Sequence, residues 1–193
     1  MRTVLLMTVL GSVKLLAAGE DMNVAICNLG GVSETIVSQA KGETDLVYRS
    51  AGVRILWREC AEFSASVPKE GAPWFFIRLR SDKPPRTVGP ASLDVMGKAF
   101  VDDRGGSVAD AYFQAVQATS QLHNGDAGVL LGFVIAHELG HLLLGAGHTR
   151  DGVMQAAWGR RQTDALRQRW LKFGKECAER IRLALEVRNA SVR

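Results

Sequence analysis

Three of the chain's four histidines lie within twelve residues, His137, His141 and His148. Glu138 follows the first of them, so the stretch opens as His137-Glu138-Leu139-Gly140-His141. Apolar residues run from Val129 to Ala136 before it and from Leu142 to Leu144 after it. That pattern predicts one buried helix from about Asp126 to Leu144. Positions four apart on a helix share a face, one turn from each other, so both imidazoles can point at one metal ion. Neutral imidazole is a zinc ligand, and zinc lowers the pKa of a bound water to about 7. Glu138 can reach such a water without itself being a ligand and can act as its general base. A helix supplies two ligands in this way. Gly145 and Gly147 lie just past the apolar run, where glycine lets a helix end and the chain turn back to present His148 as the third.

The segment resembles the metzincin group of zinc metallopeptidases, whose signature is H-E-x-x-H-x-x-G-x-x-H followed by a Met-turn. His137, Glu138 and His141 match it directly. The glycine, Gly145, and the last histidine, His148, each stand one place later than in the family, so this chain reads H-E-x-x-H-x-x-x-G-x-x-H. Gly152-Val153-Met154 resembles the Met-turn, which in the family lies beneath the metal. The resemblance is specific over about residues 134–154 and weak elsewhere. It implies an α+β, metzincin-like zincin fold: a mixed twisted sheet with a strand-helix-strand start, an active-site helix and a long C-terminal helix. It also implies zinc as cofactor, an upper lobe over about 20–145 and a lower lobe over about 146–193. An edge strand ahead of the active helix would run antiparallel to a bound peptide. Glu176 and Glu179 on the last helix are the competing third ligands. Cys177 between them faces the apolar side and turns them toward its margins, whereas His148 is separated from His141 only by the glycine break.

The elements that must position these groups read as follows. The chain has 193 residues, 47% of them hydrophobic, enough for one domain with a real core. Residues 1–19 read as a signal peptide: Arg2, an apolar run from Thr3 to Leu16 interrupted by Lys14, and the small residues Ala17-Ala18-Gly19. This predicts a secreted or periplasmic protein, residues 20–193, with no stable membrane insertion. A strand over 23–27, a helix from about 33 to 50 and a strand over 53–57 predict a parallel pair joined by a crossover. Gly30-Gly31 lacks the spacing of a phosphate-binding loop. Residues 68–73 read as a linker, 74–80 as a third strand, 81–90 as a surface loop and 96–101 as a fourth, shorter strand. A turn follows at 102–106, then a helix over 109–122, with His123 beyond it as a surface residue. A long amphipathic helix is expected over 163–188, with Leu166, Trp170, Phe173, Cys177, Ile181 and Ala184 on its apolar stripe.

Charge divides unevenly. Residues 160–193 carry ten Arg/Lys against four Asp/Glu, a net +6, and residues 20–159 carry twelve against sixteen, a net −4. The basic stretch lacks aromatic residues interleaved on its charged side, so it reads as a solvated helix face and no nucleic-acid partner is expected. The spacing of the three cysteines does not suit a zinc cluster. Cys27 and Cys60 fall near the carboxyl ends of two strands expected to be parallel neighbours, so an exported chain can bridge them, leaving Cys177 buried and free. The readings these features support are a zinc-dependent peptidase acting on a peptide or protein, a zincin hydrolase of a non-peptide amide, and a non-catalytic module that keeps zinc for structure.

Overall fold

The computed structural model describes residues 19–60, 74–82, 95–102, 105–158, 164, 166 and 168–191. The leader expected over 1–19 lies outside them apart from Gly19. So do the linker at 68–73, most of the loop at 81–90 and the expected start of the last helix. Strand β1 (Glu20–Asn28), helix α1 (Glu34–Ser50) and strand β2 (Val53–Glu59) form the expected opening unit. They are followed by β3 (Trp74–Arg80), β4 (Gly97–Asp102), β5 (Gly105–Tyr112), α2 (Phe113–Leu122), α3 (Ala127–Leu144) and α4 (Lys175–Ala190).

The five strands form one sheet in the order β2-β1-β3-β5-β4. The first four run parallel to one another, and β4 runs antiparallel to β5 at one edge. Cys27 and Cys60 follow the last register pair of β1 and β2, Ile26 opposite Glu59. They are joined as a disulfide with their Cα atoms 4.9 Å apart, while Cys177 is free and buried.

Helix α3 is buried almost all round, and this is what places the histidines in the interior. Asp126 caps its first turn, its carboxylate accepting from Val129 N at 2.9 Å. Its principal neighbour is α1. Gly132 lets the two backbones close: a Cβ there would come within 2.7 Å of Ala40 O. Thr44 Oγ1 then donates to Gly132 O at 3.0 Å, and the fully buried Tyr48 hydroxyl donates to Ala136 O at 3.2 Å. By length and composition α3 is apolar enough to cross a membrane, but its surface is taken up by the protein core.

Two expectations are overturned. The helix expected over 109–122 begins only at Phe113, and residues 105–112 are a strand. Ala109 and Ala111 favour a helix locally, but here they are fully buried in a strand paired on both sides. Pairing and burial outweigh local preference. The helix expected over 163–188 is likewise cut short. Residues 168–174 leave helical conformation, with Arg169 at φ +54, and the regular helix runs from Lys175 to Ala190. The break lets Lys172 O accept from Val153 N at 3.0 Å, brings Phe173 edge-on to Tyr48 and lets Arg169 pair with the buried Glu43. Leu166, Phe173, Cys177 and Ile181 are buried as the stripe requires, but Trp170 is 73% exposed.

The disulfide closes a 33-residue separation. Loss of either partner, as in Cys27→Ser or Cys60→Ser, should lower stability by about 3–4 kcal/mol in urea unfolding. A loss below about 1 kcal/mol would show that the bridge adds little to a pair of strands already held by the sheet.

Candidate metal centre

The three histidines converge although their exposures differ: His141 is buried, His137 half-buried and His148 exposed. His137 and His141 stand one turn apart on α3. That helix stops at Gly145, whose φ of +85 suits glycine and whose N–H closes the last turn on His141 O. The chain then reverses and brings His148 back to the pair. His141 Nε2 lies 3.0 Å from His137 Nε2 and 3.2 Å from His148 Nε2.

Tautomers follow from the other ring nitrogens. His137 Nδ1 is 2.7 Å from Val153 O, and His141 Nδ1 is 2.9 Å from Gly145 O. A carbonyl oxygen only accepts, so each Nδ1 must carry the proton and donate. Both Nε2 atoms then present lone pairs, and they face each other and His148 at contact distance. Neutral imidazoles have no attractive reason to meet in this way. A cation between them supplies one: four ligands at about 2.0–2.1 Å in a tetrahedron stand about 3.3 Å apart, close to the separations seen. Donation of the second ring proton to a carbonyl is also the usual way of fixing a ligating imidazole.

Burial keeps His137 neutral, moving its pKa down to about 4, with the donation to Val153 O working in the opposite direction. His141 is lowered for the same first reason. Both are therefore unprotonated and available as ligands at neutral pH.

Glu138 lies on the adjoining face of α3, only 5% exposed. Burial raises its carboxyl to about 8, and a hydrogen bond from Ala99 N–H on β4 partly offsets that. Gly97 on the same strand makes the space for it, because a Cβ there would overlap Glu138 Oε1. Beneath the helix, Met154 is 1% exposed, and its sulfur occupies the place a Cβ on Gly140 would need. The turn carrying it is tied at both ends: Thr149 N donates to Met154 O at 2.8 Å and Val153 N to Lys172 O. That turn thus holds His137 through Val153 O and packs the helix through Met154.

A cleft of about 520 Å³ opens over the cluster. His137, Glu138, His141 and His148 line it, with Gly97, Lys98 and Ala99 of the edge strand on one side and residues 155–158 on the other. Gly97, Ala99 and Trp158 carry no site signal in the sequence, because they act only through contacts distant in sequence. His123, expected as a surface residue, is instead half-buried and lines the cleft. Glu176 and Glu179, the competing carboxylates, sit on the exposed side of α4.

A mixed sheet closed by an antiparallel edge strand, over a buried helix that carries converging histidines, defines a zincin-type α+β fold. Solved structures share it, and two illustrate the likeness. One is archaemetzincin from Methanopyrus kandleri, with a TM-score of 0.52 and 18% identity, the match covering 89% of this chain and 99% of that one. The other is a zinc-dependent peptidase from Methanocorpusculum labreanum, with a TM-score of 0.54 and 15% identity, covering 82% of this chain and 99% of that one. No family model matches the sequence, and no curated protein does.

Metal-free protein should show the electrostatics of this site directly. The His137 contribution to stability is present above pH 6.5 and is lost as pH falls toward 4. The Glu138 contribution has the opposite sign: its folded pKa is raised, so stability is present below about 4.5 and is lost as pH rises through about 8. Glu138→Gln should remove the alkaline loss. The melting temperature of the stripped variant should exceed that of the stripped parent by a margin growing from about pH 5 to about pH 9, reaching the equivalent of about 2–4 kcal/mol. A margin independent of pH would contradict a buried, ionisable Glu138.

Proposed function

We propose that this chain is a zinc-dependent hydrolase that cleaves peptide bonds, with His137, His141 and His148 as metal ligands and Glu138 as general base. The observation that carries this reading is the convergence of three Nε2 atoms, two of them on rings whose Nδ1 protons are committed to carbonyls. Zinc held there would supply a Lewis acid and a water acidified to a pKa near 7. Glu138 takes a proton from the attacking water on its carboxylate and returns it to the leaving nitrogen. For that it must be ionised, and a dication beside it favours the charged form that burial alone disfavours. Metal loading and readiness of the base are thereby coupled.

The cleft favours an enzyme over a structural zinc module, because a structural site surrounds its metal with protein ligands and keeps no open position. The edge strand favours a peptide over other amides. Strand β4 is last in the sheet, and Gly97, Lys98 and Ala99 line the cleft, so an extended chain can lie along it and pair with its backbone. Export to a secreted or periplasmic location is part of the proposal, supported by the leader-like residues 1–19 and by the Cys27–Cys60 bridge. A peptide or protein is then the partner, with no role for nucleic acid. Several of the basic C-terminal side chains have structural work: Arg169 pairs with Glu43, Arg182 donates to Ala51 O, and Arg188 donates to Leu142 O and Gly106 O.

Two substitutions separate base from ligands in the zinc-loaded protein, assayed on a mixed peptide library by mass spectrometry. Glu138→Gln should keep about one equivalent of zinc and lose activity by at least about 10²–10⁴. Gly97→Ala, which pushes the carboxyl off its seat, should also keep zinc and lose most turnover. Cleavage at the parental rate by Glu138→Gln would remove that residue from the mechanism.

A further inference from the structure

A second cavity, of about 360 Å³, adjoins the cleft, and Met96, Thr119, His123 and Trp158 line both. Val129, Leu130 and Leu166 give the second cavity an apolar lining, with Arg169 among the residues at its wall. Of these four, Trp158 makes a ring contact with a candidate metal ligand. Its ring stands edge-on to that of His137, with centroids 5.7 Å apart and an interplanar angle of 87°. It follows the Met154 turn in a stretch without regular secondary structure, so no ladder of backbone bonds pins it.

The indole N–H is the informative atom. It is buried beyond the reach of water and has no hydrogen-bond acceptor among the described residues. An unmatched buried donor costs about 1–3 kcal/mol, and Trp normally finds a partner for this group. The ring position seen here is therefore one that a ligand bearing an acceptor can improve upon.

We propose that Trp158 is a movable partition and a substrate-binding donor. An extended peptide entering the cleft turns the indole, a backbone carbonyl of that peptide accepts the Nε1–H, and the adjoining apolar side chain enters the second cavity. This rests on the metallopeptidase reading and adds to it the residue that links the metal to a side-chain pocket. Trp158 is neither metal ligand nor base in this scheme. Its effect is on binding and on which residue is accepted beside the cut.

Two metal-chelating probes test it on zinc-loaded protein labelled with ¹⁵N in its indoles. Acetohydroxamate offers a chelating head alone, and acetyl-phenylalanine hydroxamate adds a carbonyl and a bulky apolar side chain. Trp158→Phe keeps a ring and removes the N–H. It should bind acetohydroxamate within about twofold of the parent but acetyl-phenylalanine hydroxamate about three- to tenfold more weakly, the worth of one hydrogen bond. In the parent protein the Trp158 indole proton, one of four such signals, should move downfield with the larger probe only. An unmoved signal, or equal affinities for the larger probe in parent and Trp158→Phe, overturns the proposal while leaving the metal site standing. Failure of acetohydroxamate to bind at all overturns the metal reading, and this proposal with it.

Discussion

Two backbone carbonyls decide what the histidine cluster can do. Val153 O and Gly145 O each accept an imidazole Nδ1–H, at 2.7 and 2.9 Å. With those protons fixed, His137 Nε2 and His141 Nε2 have only lone pairs to offer, yet the fold brings them within 3.0 Å of each other, with His148 Nε2 3.2 Å from His141 Nε2. Much of the surrounding structure serves those two acceptors. Gly145 O is placed by the glycine that ends α3. Val153 O is placed by a turn tied through Thr149 and through Lys172, the latter in the stretch where the last helix is interrupted.

The helix itself stays in position because small residues recur along one side of it. Gly128, Gly132, Ala136 and Gly140 stand four apart, and side chains at the three glycines would collide with Gln39, with Ala40 and Glu43, and with Met154. The missing side chains weaken the helix locally, since glycine is unfavourable within one by about 1 kcal/mol relative to alanine. Close packing against α1 and the Met154 turn offsets that. The same closeness makes the interior dry enough to hold His137 neutral and to raise Glu138. The neutral His137 and the raised Glu138 carboxyl are a consequence of packing as much as of sequence motif.

The centre of this arrangement is legible in the chain. The spacing of His137 and His141, the helix start near Asp126 and the glycine at 145 lie within one continuous stretch, and each acts on its near neighbours. The opening strand-helix-strand unit is legible for the same reason. What escapes the sequence acts at long range. Gly97 reads as an ordinary strand glycine until Glu138 is seen beside it. Residues 109–112 read as helical because Ala109 and Ala111 carry no trace of the two strands that claim them. The interruption at 168–174 follows from contacts with Glu43, Tyr48 and Val153, none of them neighbours in sequence. Trp158 has no local signal at all.

The proposed mechanism requires three imidazoles to share one metal, with the third delivered by the turn after Gly145. Competition of the metal-free protein with a chromophoric zinc chelator measures this most directly. The parent should bind one zinc, His148→Ala should bind it at least about a hundredfold more weakly, and Glu176→Ala and Glu179→Ala should match the parent. Zinc retained at full affinity by His148→Ala, or lost by either glutamate variant, would contradict the histidine triad and the mechanism built on it.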